Sequence, residues 1–451
     1  MYRSLVVAFL ILFSGVALSQ LSTNSPYSSR GIGDVGYYGD AYTSALGGAA
    51  VALTDSSQVN LQNPSTYSLL AKQLPLFSVG VNHYQKWFSS PDSPSSRGQF
   101  TGISHMALVV PFGKRFGMAG GLKPFSRTGY EINDHTKVQS DSIYYTYKGR
   151  GEIYEALLGF SVNVLDAHKH SLSIGVNGKI YFGRIENERK AFKIVKNNDQ
   201  GGMDIKATRA RGLGVDIGVN YNYRPTLEHS IRVAGTYRPG LNTNFDKSQT
   251  RIFFSNYSNQ ATYDTIINSG ATKGTIYMPS KTNLGFSYVY TPLNEGKSGE
   301  SKLMSLTVAF DYSMEDWANY EERFDNEISA GQYVNSSAYR LGVEITPHRF
   351  PMDRGTTLNY LHKISYRLGA YFVNTPYEIN GLQLVDKGVT AGFGFPFVMN
   401  RAVSTVNLSV NYGTLGNKNA TTGLKENYLG FNLGINIAPG YDRWFRKYKL
   451  D

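Results

Sequence analysis

The chain has 451 residues, no cysteine, 18% charged residues and a net charge of +11. Disulfide staples are excluded, and no stretch of ~18 uninterrupted apolar residues occurs, so no membrane-spanning helix is expected. The positive charge is scattered, with no basic run carrying interleaved stacking aromatics, which argues against nucleic acid as a partner.

The first element is a targeting segment. Arg3 gives a positive start, Leu5–Phe13 is an apolar run too short to cross a bilayer, and Ala17-Leu18-Ser19 offers small residues for cleavage. Residues 1–19 are therefore read as a signal peptide, with the mature chain starting near Gln20. Without a cysteine at that point the protein is no lipoprotein.

The next segment contains "ALGGAAVALTDSSQVNLQNPSTYSLL" (Ala45–Leu70). It is small-residued and nearly uncharged, with neither strand alternation nor a catalytic cluster. Asn63-Pro64 marks a turn or helix start.

From residue 74 onward the pattern changes to period two. Leu172, Ile174, Val176, Ile180 and Phe182 alternate with Ser173, Gly175, Asn177, Lys179 and Gly183. Near the end Leu429, Phe431, Leu433, Ile435 and Ile437 alternate with Gly430, Asn432, Gly434 and Asn436. Each run has the length of a tilted membrane-spanning strand. Fourteen such segments are expected: 74–86, 103–111, 116–128, 150–164, 170–184, 209–223, 229–239, 279–290, 302–312, 337–346, 363–373, 387–396, 402–412 and 425–438. An even number of strands returns the chain to its starting side. Connections after strands 2, 4, 6 and 12 are short, whereas those after 1, 3, 5, 7 and 9 are long and are read as outer loops. The long connection 347–362 departs from this rule and leaves the placement of strands 10 and 11 open.

Pro111, Pro225, Pro292, Pro347, Pro396 and Pro439 fall at strand ends on the side of the short turns. Tyr221, Tyr223, Tyr288, Tyr290 and Phe372 suit interfacial girdles. A soluble sandwich or propeller would share the richness in Gly, Tyr and Phe, but the long series of alternating segments favours an all-β fold: a 14-stranded antiparallel transmembrane β-barrel.

With the apolar sets facing lipid, Glu155, Lys179, Asp216, Arg232, Asp311, Arg340, Glu344 and Arg367 point inward. A charge facing hydrocarbon costs ~2–4 kcal/mol at the midplane. The mixed signs suit an ion-paired lining; a route for a carboxylate head group is the sharper alternative. Strand 3, "FGMAGGLKPFSRTGY", carries Gly120, Gly121 and Pro124, which predicts a kink and a gap in the wall. A barrel of this size needs filling, so residues 20–73 are read as a plug in its periplasmic end.

Other signals are weak. His168-Lys169-His170 reads as a solvated turn, not a metal site, and Glu321-Glu322 as a solvated outer loop. No nucleophile triad, zinc spacing or phosphate loop stands in a suitable context, so no enzyme activity, cofactor or metal is expected.

Gly47, Gly48, Asp55, Asn63 and Pro64 resemble the N-terminal hatch of the FadL-type outer-membrane transport proteins, with Ser65 replacing the usual Ala. The resemblance implies a 14-stranded barrel, an N-terminal plug or hatch and a kinked third strand giving lateral exit. It also implies passive transport of hydrophobic compounds, long-chain fatty acids among them, in contact with outer-membrane lipid. The ligand would enter past Tyr144, Tyr145, Phe253, Phe254 and Tyr257. The same family includes PorV-like components of type IX secretion, which implies a protein partner in a secretion complex as the rival role. The tail "DRWFRKYKLD" (Asp442–Asp451) and "SPYSSRGIGDVG" (Ser25–Gly36) resemble relatives in the Bacteroidota. The expected organisation is signal peptide 1–19, plug 20–73, barrel 74–438 and a short periplasmic tail 439–451.

Overall fold

Period-two alternation puts every second side chain on the same side of a strand, and closing the sheet turns the two sides into a lipid face and a lumen. In the computed structural model this gives eighteen strands in one antiparallel sheet. They are β1 (Leu76–Ser89), β2 (Ser96–Phe112), β3 (Phe116–Val138), β4 (Asp141–Asp166), β5 (His170–Val195), β6 (Asn198–Tyr223), β7 (His229–Arg238), β8 (Leu241–Phe254) and β9 (Tyr263–Met278). There follow β10 (Lys281–Tyr290), β11 (Ser305–Glu315), β12 (Glu321–Phe324), β13 (Glu327–Ala330), β14 (Ser336–Thr346), β15 (Ser365–Ile379), β16 (Leu382–Met399), β17 (Ala402–Gly416) and β18 (Lys425–Ile437). The structure describes residues 23–35, 39–70, 74–91, 94–138, 141–195, 198–292, 304–325, 327–348, 360–399, 402–416 and 423–439. The expected signal peptide and the Asp442–Asp451 tail lie outside them.

The eighteen strands form fourteen staves. β6 pairs with β7 at one end and with β8 at the other, so β7 and β8 are one stave broken at Pro239-Gly240. β9 and β10 are likewise one stave broken at Pro279, and β12 and β13 extend β11 and β14. Proline has no N–H to give the ladder, which explains the first two breaks. The pairing of β1 with β18 closes the barrel. All fourteen expected segments lie within or largely overlap these staves, strands 10 and 11 included.

The expected long outer loops take a different form. On the side opposite the proline-rich turns, much of the sequence expected to loop continues as strand: β4, β5 and β6 each run 26 residues, and β15 passes to β16 through Asn380-Gly381 alone. The ladder keeps propagating beyond the bilayer because each added residue still finds a hydrogen-bonding partner. The long connection 347–362 lies on the proline side, so the longer excursions there follow β10 and β14.

Outward positions form the apolar band, among them Leu158, Ile180, Leu213, Leu284, Leu368 and Val389, each more than half exposed. At the periplasmic rim one device occurs twice: His170 stacks on Tyr223 and bonds the Tyr221 hydroxyl at 2.7 Å, and His229 stacks on Tyr290 and bonds the Tyr288 hydroxyl at 2.7 Å. This fits the expected girdle.

Inside, residues 41–68 run round the wall against successive staves. Ala41 meets Gly434 of β18, Ala45 meets Gly392 of β16, and Leu46 and Gly47 meet Gly342 of β14 and Gly369 of β15. Val51 meets Gly285 of β10, Asn63 and Pro64 meet Gly218 of β6 and Gly175 of β5, and Tyr67 meets Gly159 of β4 and Gly117 of β3. A Cβ on Gly369 would stand 2.1 Å from the Gly47 nitrogen, and one on Gly175 would stand 2.5 Å from the carbonyl carbon of Pro64. Glycine is required there because backbone meets backbone.

Gly369→Val should therefore destabilise the barrel by about 1–3 kcal/mol, the usual cost of overpacking. Gly178→Val, whose nearest neighbour is 3.9 Å away on the lipid side, should be silent. Heat-modifiable gel mobility of both variants checks this; equal melting would show that the close approach is unimportant.

Candidate functional site

The inner segment starts at the outer end of the barrel. Ser25 donates its N–H to Gly129 of β3 at 2.8 Å, and Asp34 and Arg127 exchange backbone bonds at 2.7 and 3.0 Å. Tyr27 and Ile32 then enter an aromatic core with Phe125, Tyr181, Phe245, Trp317, Tyr320, Tyr333 and Tyr377. Residues 41–70 lie towards the end of the barrel that carries the proline-rich turns, and residues 23–35 cap the lumen at the other end.

The expected hatch residues perform distinct local tasks. Gly47 and Gly48 adopt positive φ of 67° and 84°, which glycine tolerates. Asp55 closes an Asx turn by accepting from the Ser57 N–H at 2.8 Å. Asn63 is fully buried; its Nδ2 donates to the Val51 carbonyl at 2.8 Å and its Oδ1 accepts from Ser65 at the start of the 3-10 turn Pro64–Leu69. Pro64 opens that turn where no N–H is needed.

Wall side chains satisfy the segment's backbone. Asp311 of β11 accepts from the Ala50 and Val51 N–H groups at 2.6 and 2.9 Å. Thr390 accepts from the Gly47 N–H and donates to the Ala45 carbonyl, both at 3.0 Å. Arg232 donates to the Thr54 carbonyl at 3.3 Å. Buried backbone groups need such partners, and here the wall provides them in place of a ladder.

All the charges expected in the lumen do face inward, mostly in partnership. Lys179 is ion-paired to Asp216 and, at 3.3 Å, to Glu155, which also pairs with Lys123 at 3.1 Å. Arg367 pairs with Glu344 and donates to Asn407 at 2.8 Å; Arg340 donates to Ser313 at 2.8 Å. Sequence reading missed Lys86, Arg238, Lys281, Glu315, Asp386 and Glu426. Arg238 shares parity with Arg232, and Glu426 with Asn432 and Asn436, so extending the alternation outward would have found them. Lys281 pairs with Glu315 at 2.6 Å, Arg238 approaches it at 3.6 Å, and two Arg238 nitrogens are buried without a hydrogen bond. A cavity of about 310 Å³ lies between the ring of residues 41–68 and the aromatic cap, lined by Lys123, Glu155, Arg238, Lys281, Glu315 and Arg340, with Phe125 and Trp317 as apolar walls. Its cation-rich side could hold a carboxylate, and its aromatic side an apolar body.

Strand 3 does part from its neighbour. β2 and β3 pair only from Met106↔Leu122 to Phe112↔Phe116, whereas β2 stays on β1 to Ser96 and β3 stays on β4 to Val138. The β3–β4 register slips at Pro124. Gly120 and Gly121 are not at this break: both sit in regular ladder between Leu108 or Ala107 and Leu158 or Leu157. Gly120 faces open space and Gly121 accommodates Leu61. The gap is closed by Arg127, which is fully buried. Its guanidinium lies over Phe100, donates to the Ile103 carbonyl at 2.8 Å and faces Glu152 at 3.6 Å. A second latch joins the N-terminal segment to the wall: Ser25 donates to Glu426 at 2.5 Å, and Glu426 pairs with Lys86 at 3.2 Å.

Two weaker expectations resolve differently. His168 and Lys169 lie in the turn before β5, and among the described residues no group of three or more metal-ligating side chains occurs. Glu322, expected to be solvated, is 6% exposed and is held by Lys247 and the Tyr320 hydroxyl. Of the aromatics expected to admit a ligand, Tyr144 is partly exposed and Phe254 fully buried.

The whole chain, residues 1–451, matches the BamG family. No curated protein matches. Among solved structures, the Ralstonia pickettii toluene transporter TbuX aligns at TM-score 0.53 and 13% identity, over 88% of this chain and 98% of that one. A Pseudomonas aeruginosa FadL homologue aligns at 0.54 and 11%, covering 89% and 98%, and the P. putida toluene transporter TodX at 0.53 and 15%, covering 89% and 98%. The fold is that of a FadL-type barrel.

Arg127→Ala should open the β2–β3 gap and cost ~3 kcal/mol by leaving Glu152 unpaired. Ser126, fully buried, can be replaced by Cys in a chain with no other cysteine. A membrane-partitioning maleimide should label Ser126→Cys at least ~10-fold faster beside Arg127→Ala, the factor a loss of about 1.4 kcal/mol of closure would give; unchanged labelling means Arg127 does not seal the wall.

Proposed function

Since the chain belongs to the BamG family and has a FadL-type barrel, we propose that it sits in the outer membrane as a passive transporter of hydrophobic compounds. The observation that carries this reading is the break between β2 and β3 beyond Met106 and Leu122, beside a lumenal cavity. An apolar molecule reaching the cavity would have a short route through that break into the bilayer. The cluster of Arg238, Lys281 and Arg340 suits an amphiphile with an acidic head, long-chain fatty acids included. Transport would require Arg127 and residues 23–35 to move, so the resting state is closed. The residues 41–70 ring would act as the hatch at the periplasmic end.

A second reading is supported by a different observation. The lumen is lined by buried ion pairs and filled by a tightly bonded segment, which is a stiff interior more than a greasy path. In that reading the barrel transports nothing and serves as a protein partner in a secretion complex, PorV-like in role.

Vesicles carrying the purified protein distinguish the two. The transporter reading expects uptake of toluene or oleate above protein-free vesicles, raised at least ~3-fold by Arg127→Ala, the factor ~0.65 kcal/mol would give. Uptake equal to protein-free vesicles for both compounds in both proteins sinks transport. Retention of a stoichiometric large partner on mild extraction would then support the second reading.

A further inference from the structure

The outer face of β4–β8 carries a feature that the lumen does not use. Arg150 of β4, Arg184 of β5, and Arg209 and Arg211 of β6 project on the lipid side, one register step above the apolar band. Arg211 is the ladder partner of Phe182, Arg209 is that of Arg184, and Leu213 lies two residues from Arg211 towards the bilayer. Phe182 and Leu213 are 42% and 70% exposed, which marks the edge of the hydrocarbon.

The four guanidiniums are under-neutralised. Arg150 and Arg184 share Glu186, at 2.8 and 2.6 Å, and Arg211 pairs with Asp246 at 2.9 Å. Arg209 stands between Arg184 and Asp246 in the ladder with no ion pair of its own among the described residues. Glu152, the ladder partner of Arg184, faces Arg127 instead, so the four positive charges meet two negative ones. The side chains of Arg150, Arg184 and Arg211 are 72%, 56% and 53% exposed, so a ligand can reach them. The clustering is one-sided: across the barrel the lipid face carries Tyr412 and Thr414 of β17 and Leu429 and Asn427 of β18, with one cation, Lys387 of β16, beside Thr414.

We propose that this belt binds the phosphate of an outer-leaflet lipid. A guanidinium presents two parallel N–H groups that match a phosphate's oxygens, and several within one patch clamp it from different sides. The level of the belt selects the source. Its arginines stand where a headgroup must lie when the acyl chains pack on Phe182, Ile180 and Leu213, so the same molecule meets apolar surface and cation together. A free anion would gain only the second contact. The belt is outside the lumen, so this assignment stands or falls apart from the transport reading.

The test uses the full-length mature protein in phosphatidylcholine nanodiscs and native mass spectrometry. The probes are a synthetic diphosphorylated acyl-glucosamine disaccharide and the same lipid without phosphates. The parent should bind the phosphorylated lipid at least ~10-fold more tightly, and raised salt should weaken it. R184Q/R209Q/R211Q should abolish that difference. R189Q/K193Q/K206Q, which removes equal charge further out on the same strands, should keep it. If the first triple variant fails to assemble, R209Q alone should give a partial loss. Equal binding of the two lipids, equal loss in both triples, or displacement of the lipid by stoichiometric inorganic phosphate would each overturn the assignment.

Discussion

Everything inside this barrel depends on one steric condition: main chain must lie directly against main chain. Residues 41–68 can follow the inner wall only where the wall has no side chain, and glycines at inward positions of β3 to β6, β10, β14 to β16 and β18 provide that track. The segment itself is built of Ala, Ser, Gly and Asn for the same reason. Its backbone cannot join a ladder, because the strands it crosses are already paired on both edges. Side chains of Asp311, Thr390, Ser287 and Arg232 bond to it instead, and Asn60 and Asn63 tie it to itself. Each such bond contributes modestly, but each unmade one would cost more, so the wall and the segment satisfy one another.

That packing decides the character of the lumen. A wide barrel emptied of apolar filling must either hold water or pair its polar groups. Here the charges pair across neighbouring staves, Lys179 with Glu155 and Asp216, Arg367 with Glu344, Lys281 with Glu315. Pairs of this kind add rigidity and register more than net stability, since desolvation offsets much of their attraction. The apolar contribution comes from elsewhere: the aromatic core at the outer end, where Trp317, Tyr320 and Tyr333 pack with ring centroids 4.9 to 5.9 Å apart.

The membrane-spanning part of the fold was legible because the bilayer imposes a strong contrast between alternate residues. Leu172 to Phe182 and Leu429 to Ile437 carry that contrast plainly. Above the bilayer both faces of a strand meet water or protein, and the contrast fades. The outer halves of β3 to β6, and all of β8, β9, β12 and β13, therefore read as loop although they are ladder. The same blindness hid Glu322, whose partner Lys247 is 75 residues away on another stave. Gly120 and Gly121 misled for a different reason. Glycine in a strand signals either a bulge or a close neighbour, and here Gly121 answers to Leu61 of the inner segment while the break begins just past Leu122, with the β3–β4 register slipping at Pro124. Arg127 gave no local signal, since its role exists only once β2 and β3 have parted.

The parting of β2 and β3 leaves two unpaired strand edges inside a membrane protein, which is untenable unless something covers them. Residues 25–34 meet the edge of β3 with three backbone bonds, and Arg127 reaches the edge of β2 at Ile103. The N-terminal segment thus acts as a partial strand that is covalently distant from both neighbours. It is held at its start by Ser25 on Glu426 and along its length by Ser28 on the Gly129 backbone, Tyr27 on the Leu424 carbonyl, and Tyr333 and Tyr377 on the carbonyls of Arg30 and Gly33. A regular stave would use its own backbone over this span, whereas here side chains make most of the bonds.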